Sequence, residues 1–401
     1  LDRSIGYFDG SVSYNYQKLN KGNSTSFVVN PNSGYAIDNV SCTNSNASYN
    51  ESNNTLSMNN ITGDVQCNVK FKKQLSPSEQ TLQKLGLTSN GVKGTINGIA
   101  TVDEGIWEMD DDYGVSYYFR GAVTNNYVQF AGYYWRIIRI NGNGSIRLIY
   151  DGTFAHQNGN SSYAADRQLT SGNYCATGSD NTYVGYMYGQ ADASTYNATH
   201  TNTNSNRIKT YIDSWYKTNI VDKGYSSKVE VDSLYCNDRT ISNYNPNSYY
   251  FNNLGYGSNY TAYRWYYGPW SSNVNNITFK CPQLSRDGMS TTNATKGNKA
   301  LTYPVALITM DEVIAAGGYG STNNRNYYLY TGLNYWTMSP KSLNGDTSFD
   351  KYYAWIRGVT ADGATTSYQC IDFTGIRPVI SLKSDITVTG TGTQNDPYVV
   401  Q

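Results

Sequence analysis

Residues 335–382 read YWTMSPKSLNGDTSFDKYYAWIRGVTADGATTSYQCIDFTGIRPVISL. The stretch opens on the aromatic pair Tyr335-Trp336 and runs through a segment of small and aromatic residues. It closes on Gly375-Ile376-Arg377-Pro378-Val379 before an apolar strand. Aromatic and arginine side chains dominate binding energy where they are grouped and partly buried. On that ground Tyr335, Trp336, Tyr352, Tyr353, Trp355, Arg357, Tyr368 and Asp372 form the candidate ligand-binding surface. The same pattern also suits packing, since Trp336, Trp355 and Ile356 alternate with strand partners and such rings bury large areas in cores. Arg377, beside Pro378, is expected to brace loop carbonyls.

The chain has 401 residues, 40 of them Tyr, with 30 basic and 30 acidic side chains and a net charge of zero. A neutral chain carries no basic field for nucleic acid and no polybasic signal for anionic membranes. Tyr, Asn, Ser and Gly are the residues of adaptable binding surfaces, because Tyr covers much area with few rotatable bonds. AT-rich coding DNA produces the same excess of Asn and Tyr. No run approaches the roughly 20 apolar residues of a membrane-spanning helix. The abrupt start, LDRSIGYFDG, lacks a charged-then-apolar leader and is expected of a processed product or an ectodomain whose anchor lies outside this sequence.

Six widely spaced cysteines without a CxxC pair fit an oxidising compartment. Cys42 and Cys67 share the short N-terminal module and are expected to pair. Cys236 and Cys281 flank one Tyr/Asn-rich segment, so a bridge would staple its base. Cys175 and Cys370 remain, either paired by elimination or both free.

The length suits two or three domains. From 1 to 73, short alternating runs such as TSFVVNP, GYAIDNVSC and VQCNVKFKK are separated by Asn/Gly/Ser clusters, which predicts a small β-sandwich. Ser76-Pro77-Ser78-Glu79 has capping-box spacing with Pro at the first helical position, so a helical linker is expected over 74–87. The main domain, 88–401, carries a hairpin signal at Asn141-Gly142-Asn143-Gly144, expected as an exposed tip, and a long insertion at about 152–300. Within it, Ile208, Tyr211, Ile212, Trp215 and Tyr216 follow a helical stripe, and Thr309 to Gly317 reads as a second, shorter helix.

The WTMS strand, the terminal GIRPV strand and the small-residue segment between them resemble the last third of the C-type-lectin-like fold, as in formylglycine-generating-enzyme-like domains and the variable proteins of diversity-generating retroelements. The wording VNPNSGYAIDNVSCTN and ITGDVQCNVKFKK resembles Ig-like repeat modules that act as stalks on bacterial surface proteins. Residues 76–401, with YYWRIIRINGNGSIRLIYDG, LYCNDR, GNKALTYPVALITMDEVIAAGG and YLYTGLNYWTMSP, resemble a family of paralogous surface proteins of low-GC Gram-positive gut bacteria. The resemblances imply a mostly β chain with some α: a small N-terminal Ig-like β-sandwich followed by a C-type-lectin-like α+β domain with a long insertion. They also imply extracellular display at a bacterial cell surface, and supply no activity.

Catalytic patterns are sparse. His156 and His200 lie in loops without obvious partners. Sulfatase-modifying relatives use two nearby cysteines, and no second cysteine stands near Cys370, so that activity is not carried over. Asp103, Glu104, Glu108, Asp110, Asp111 and Asp112 form the one acidic cluster, and Asp110, Asp111 and Asp112 are the candidates for Ca²⁺. The EPN or WND text of sugar-binding C-type lectins is absent, so calcium-bridged glycan recognition is not expected. Taken together, the sequence predicts a non-enzymatic, surface-displayed adhesin whose partner is a host or bacterial surface protein or glycan. The alternatives are a structural subunit that polymerises into a pilus, filament or surface layer, and an enzyme on a formylglycine-generating-like fold.

Overall fold

The computed structural model describes residues 10–13, 19–94, 96, 98–242, 252–266, 277–346 and 351–401. The chain is mostly β with some α and divides into two compact units, Leu1–Ser76 and Pro77–Gln401. In the first, β1 (Gly10–Ser13), β2 (Thr25–Pro31), β4 (Asn46–Asn50) and β5 (Thr55–Asn59) make a four-stranded sheet in the order β1-β2-β5-β4. A second, two-stranded sheet joins β3 (Tyr35–Cys42) to β6 (Cys67–Lys73). The alternation read from sequence sets the inner face: Val29 and Leu56 meet Ile37 in one small core, while Val28 points outward. Cys42 and Cys67 stand opposite each other across β3 and β6 and are bonded, which staples a core of few large side chains.

The second unit begins with a helix, α1 (Pro77–Lys84), and this corrects the expected linker. Leu82 and Leu85 are buried, and the Tyr398 hydroxyl donates to the Leu85 carbonyl, so α1 is integral to the large core. That core is built on a meander of β7 (Asp103–Asp111), β8 (Gly114–Gly121), β9 (Tyr127–Phe130), β10 (Tyr133–Ile140) and β11 (Ile146–Gly152). Strand Val379–Leu382 adds to β11, and Tyr398–Val400 adds in parallel to β9. A six-stranded sheet centres on Tyr335–Asp346 and Lys351–Val359, with Thr365–Gln369 at one edge and short strands Ser171–Gly172, Thr374–Gly375 and Thr261–Ala262 completing it.

Segment 152–300 is no separate lobe, because Tyr174, Val184, Ile212, Val229 and Tyr235 are buried in the same core as the meander. The two predicted helices form. Arg207–Tyr216 starts on the Asn206 cap and buries Ile208, Ile212 and Tyr216. Met310–Ala316 starts on a Thr309–Glu312 capping box and ends at Gly317 in the left-handed region, an arrangement whose N-cap is typically worth about 1 kcal/mol. Bridges Cys175–Cys370 and Cys236–Cys281 complete the three disulfides, and no cysteine is free.

The β10–β11 hairpin forms where its turn residues placed it, but its tip is buried, not exposed. Asp111 accepts from the Gly142 N–H, the Asn141 amide donates to Ser145, and the Thr81 hydroxyl of α1 donates to the Gly144 carbonyl. Gly144 has φ +84°, and a Cβ there would lie 2.7 Å from the Pro77 carbonyl oxygen. Gly144→Val is therefore expected to cost at least about 1–2 kcal/mol from backbone conformation alone, with the clash in addition. Urea unfolding checks this, and an unchanged midpoint would mean that the tip is loosely packed.

Candidate functional site

The eight expected contact residues occupy three settings. Tyr335, Trp336 and Arg357 are buried, which corrects their assignment to a ligand-facing surface. Tyr335 donates its hydroxyl to the Leu329 carbonyl, and the Trp336 indole donates to the Gly172 carbonyl at 2.8 Å. Arg357 donates to the carbonyls of Trp265 and Tyr266, so its charge is used to hold a loop against the sheet. Asp372 ties a turn by accepting from the Gln369 N–H at 2.8 Å. Tyr352, Tyr353, Trp355 and Tyr368 are half-buried.

These four do not share one face. Alternation along Lys351–Val359 sends Tyr353 and Trp355 to one side with Arg357, and Tyr352 to the other. Tyr368, opposite Ile356 in register, packs edge-on against Trp336 with ring centres 5.7 Å apart. Tyr352 meets Tyr260 edge-on at 5.4 Å. On the Trp355 side, the Lys341 ammonium stands 5.0 Å from the Trp355 ring centre and 5.6 Å from that of Tyr266. Burial, and then the Arg357 guanidinium, push the Lys341 ammonium down to about 8. The Trp355 indole N–H is buried with no hydrogen-bond partner among the described residues. The site so assembled is a short strand segment with aromatic rings on both faces and one weakly basic amine.

The acidic cluster is dispersed by its partners. Asp110 is exposed toward Lys280, Asp111 is buried on Arg139 at 2.7 Å, and Asp112 accepts from the Cys281 N–H. Among the described residues no three His, Cys, Asp or Glu side chains are placed to hold a metal ion.

Both histidines have partners, contrary to the sequence reading. His156 pairs with Asp166 at 2.8 Å. His200 is fully buried, with Nε2 2.8 Å from the Tyr263 hydroxyl and Nδ1 2.9 Å from the Tyr196 carbonyl. The tyrosine excess is also placed differently from a surface paratope: Tyr174, Tyr186, Tyr263 and Tyr327 are among many in the core.

Sequence reasoning missed a buried polar cleft lined by Asp111, Arg139, Arg147, Arg264, Asp311 and Glu312, with a free volume of about 30 Å³. That space suits about one water molecule. The lining groups are matched to one another: Glu312 with Arg139 and Arg147, and Asp311 with Arg264. The local signal for Glu312 is its spacing three residues after Thr309, which suits a capping box. Nothing local in the sequence joins Glu312 to arginines more than 160 positions away.

No protein-family model matches the chain, and neither a curated protein nor a solved structure matches it significantly.

Burial, then Arg239, push the His200 imidazole well below its ordinary 6.5, so the folded chain keeps it neutral. A depressed folded-state value gives stability that is present above pH 6.5 and declines as pH falls below it, because the unfolded chain takes up the proton first. Thermal melts between pH 7.5 and 5 should show this slope, and His200→Gln should flatten it. An equal slope in both proteins would exclude His200 as its source.

Proposed function

We propose that the chain is an extracellular, surface-displayed binding protein of the adhesin type, without catalytic activity, in which a C-type-lectin-like large unit captures the ligand and an Ig-like small unit serves as a stalk at a bacterial cell surface. Three disulfides are compatible with a secreted or extracellular setting. Among the described residues no helix is long and apolar enough to cross a membrane. The observation that carries the reading is the strand Lys351–Val359: Tyr352, Tyr353 and Trp355 remain partly exposed on a segment whose neighbours Arg357 and Trp336 are locked into the core. Rings held on a rigid strand lose little conformational freedom on binding, which is what contact surfaces need. The partner is a host or bacterial surface protein or glycan.

The test uses the full chain on a glycan array and in pull-downs from host surface proteins. Replacing Tyr352 and Tyr353 together by Ala should abolish capture while moving the melting temperature little, since both rings are half-exposed. A large loss of stability with capture per folded molecule unchanged would show the rings to be packing residues. Ordered filaments of the purified chain under the electron microscope would instead favour the structural-subunit reading.

A further inference from the structure

Away from that strand, the loop after β11 carries two large exposed aromatics. Tyr163 is 74% exposed and Phe154 is 43% exposed. Their ring centres lie 5.6 Å apart at 82°, and Phe154 is also stacked on the His156 imidazole at 4.2 Å. Single exposed apolar residues are ordinary, but two rings held in contact at the surface mark a candidate contact site.

Tyr163 adds a second anomaly. Its backbone is left-handed, with φ 60° and ψ 28°, a conformation that disfavours a residue of this bulk. A turn of this shape is satisfied better by Gly or Asn. The surroundings impose it from both sides. Arg167, in the same turn, is fully buried and donates to Asp151 and to the Tyr330 carbonyl. Asp166 accepts from the Thr153 N–H and hydroxyl and pairs with His156. Upstream, the His156 carbonyl accepts from the Tyr127 hydroxyl, and Asn158 bonds to Val123 and Arg136. Gly152 has φ +113°, and any Cβ there would lie 2.2 Å from the Asp166 carboxylate. The two rings therefore stand on a rigid base.

The loop that carries them is free of lone charges: beneath Phe154, the His156 imidazole and the Asp166 carboxylate are paired with each other at 2.8 Å. Residues 152–165, GTFAHQNGNSSYAA, contain no Asp, Glu, Lys or Arg. The exposed polar side chains of this loop are Thr153, whose hydroxyl donates to Asp166, and Gln157, Asn160, Ser161 and Ser162. The nearby cation Arg325 is engaged by Asp362. Such a surface offers nothing to a phosphate or an acidic peptide. Flat apolar rings bordered by amides and hydroxyls match a sugar ring, which has an apolar C–H face and a rim of hydroxyls.

We propose that Phe154 and Tyr163, with ring planes near perpendicular, form an aromatic corner for a neutral saccharide, one ring stacking on its C–H face and the other bracing its edge, with the amides and hydroxyls of the same loop offered to its hydroxyls. This site is separate from the strand Lys351–Val359 and does not depend on it. Pre-organisation by the anchored loop limits the entropy lost on binding.

The full chain is titrated calorimetrically with neutral hexose and N-acetylhexosamine oligosaccharides, with sialylated and sulfated oligosaccharides alongside. Neutral sugars should bind. Phe154→Ala and Tyr163→Gly should each weaken binding by about tenfold or more, the scale of one lost aromatic contact with its buried area. Tyr163→Gly should leave the melting temperature unchanged or raise it, because Gly adopts this backbone freely. The Tyr352, Tyr353 double variant should bind the same sugars as the parent. Failure of all neutral sugars to bind, binding confined to the charged ones, or affinity retained in both Phe154→Ala and Tyr163→Gly would each overturn the proposal. Loss of neutral-sugar binding only in the Tyr352, Tyr353 variant would overturn it too, while leaving the strand reading intact.

Discussion

One carboxylate organises the large unit. Glu312 closes the capping box of its helix by accepting from the Thr309 N–H at 3.0 Å, and it also accepts from Arg139 on β10 and Arg147 on β11. Arg139 in turn holds Asp111 at the end of β7, and Asp111 holds the turn of the β10–β11 hairpin. A helix, a hairpin and a neighbouring strand are thus positioned by charges that water barely reaches. Removing such ions from water costs several kcal/mol each, and only near-complete pairing offsets it. Burial by itself would raise the Glu312 carboxyl, but Arg147 and then Arg139 outweigh it and hold it below the usual range. A second hub repeats the logic, with Asp151 shared by Arg167 and Arg377.

This interior use of charge changes what the neutral composition means. Arg136, Arg147, Arg167, Arg239, Arg357 and Arg377 are all almost completely buried. Part of the charge counted in the sequence therefore never meets solvent, while among the described residues most Lys, Asp and Glu side chains stay at the surface. The exposed charges are of both signs in nearly equal number, so the chain carries no strong net field of one sign.

Local signals were legible and long-range ones were not. The Asn141-Gly142-Asn143-Gly144 turn, the helical stripe from Ile208 to Tyr216, the short helix from Thr309 to Gly317 and the alternation in TSFVVNP are local signals, and each forms as read. The same turn's burial depends on α1, whose contact with Gly144 spans more than 60 positions. Arg357 looked like a recognition residue because it sits among aromatics, yet its partners are backbone carbonyls about 90 residues earlier, which carry no side-chain signature. Tyr352 and Tyr353 are half-buried and face opposite sides of their strand, since adjacent strand residues alternate, a separation that a linear reading of neighbouring aromatics does not show. The Phe154 and Tyr163 pair was missed because exposure and a left-handed backbone at a tyrosine leave no periodic trace.

The disulfide between Cys175 and Cys370 encloses 195 positions of sequence separation, and the strands that flank the central meander come from Val379–Leu382 and Tyr398–Val400. A chain synthesised from its N-terminus therefore cannot complete the large unit until Tyr398–Val400 has emerged. The small unit, closed over 25 positions by Cys42–Cys67, has no such delay. Until then β9 and β11 expose unpaired edges, the state in which β-rich chains are most prone to pair with one another.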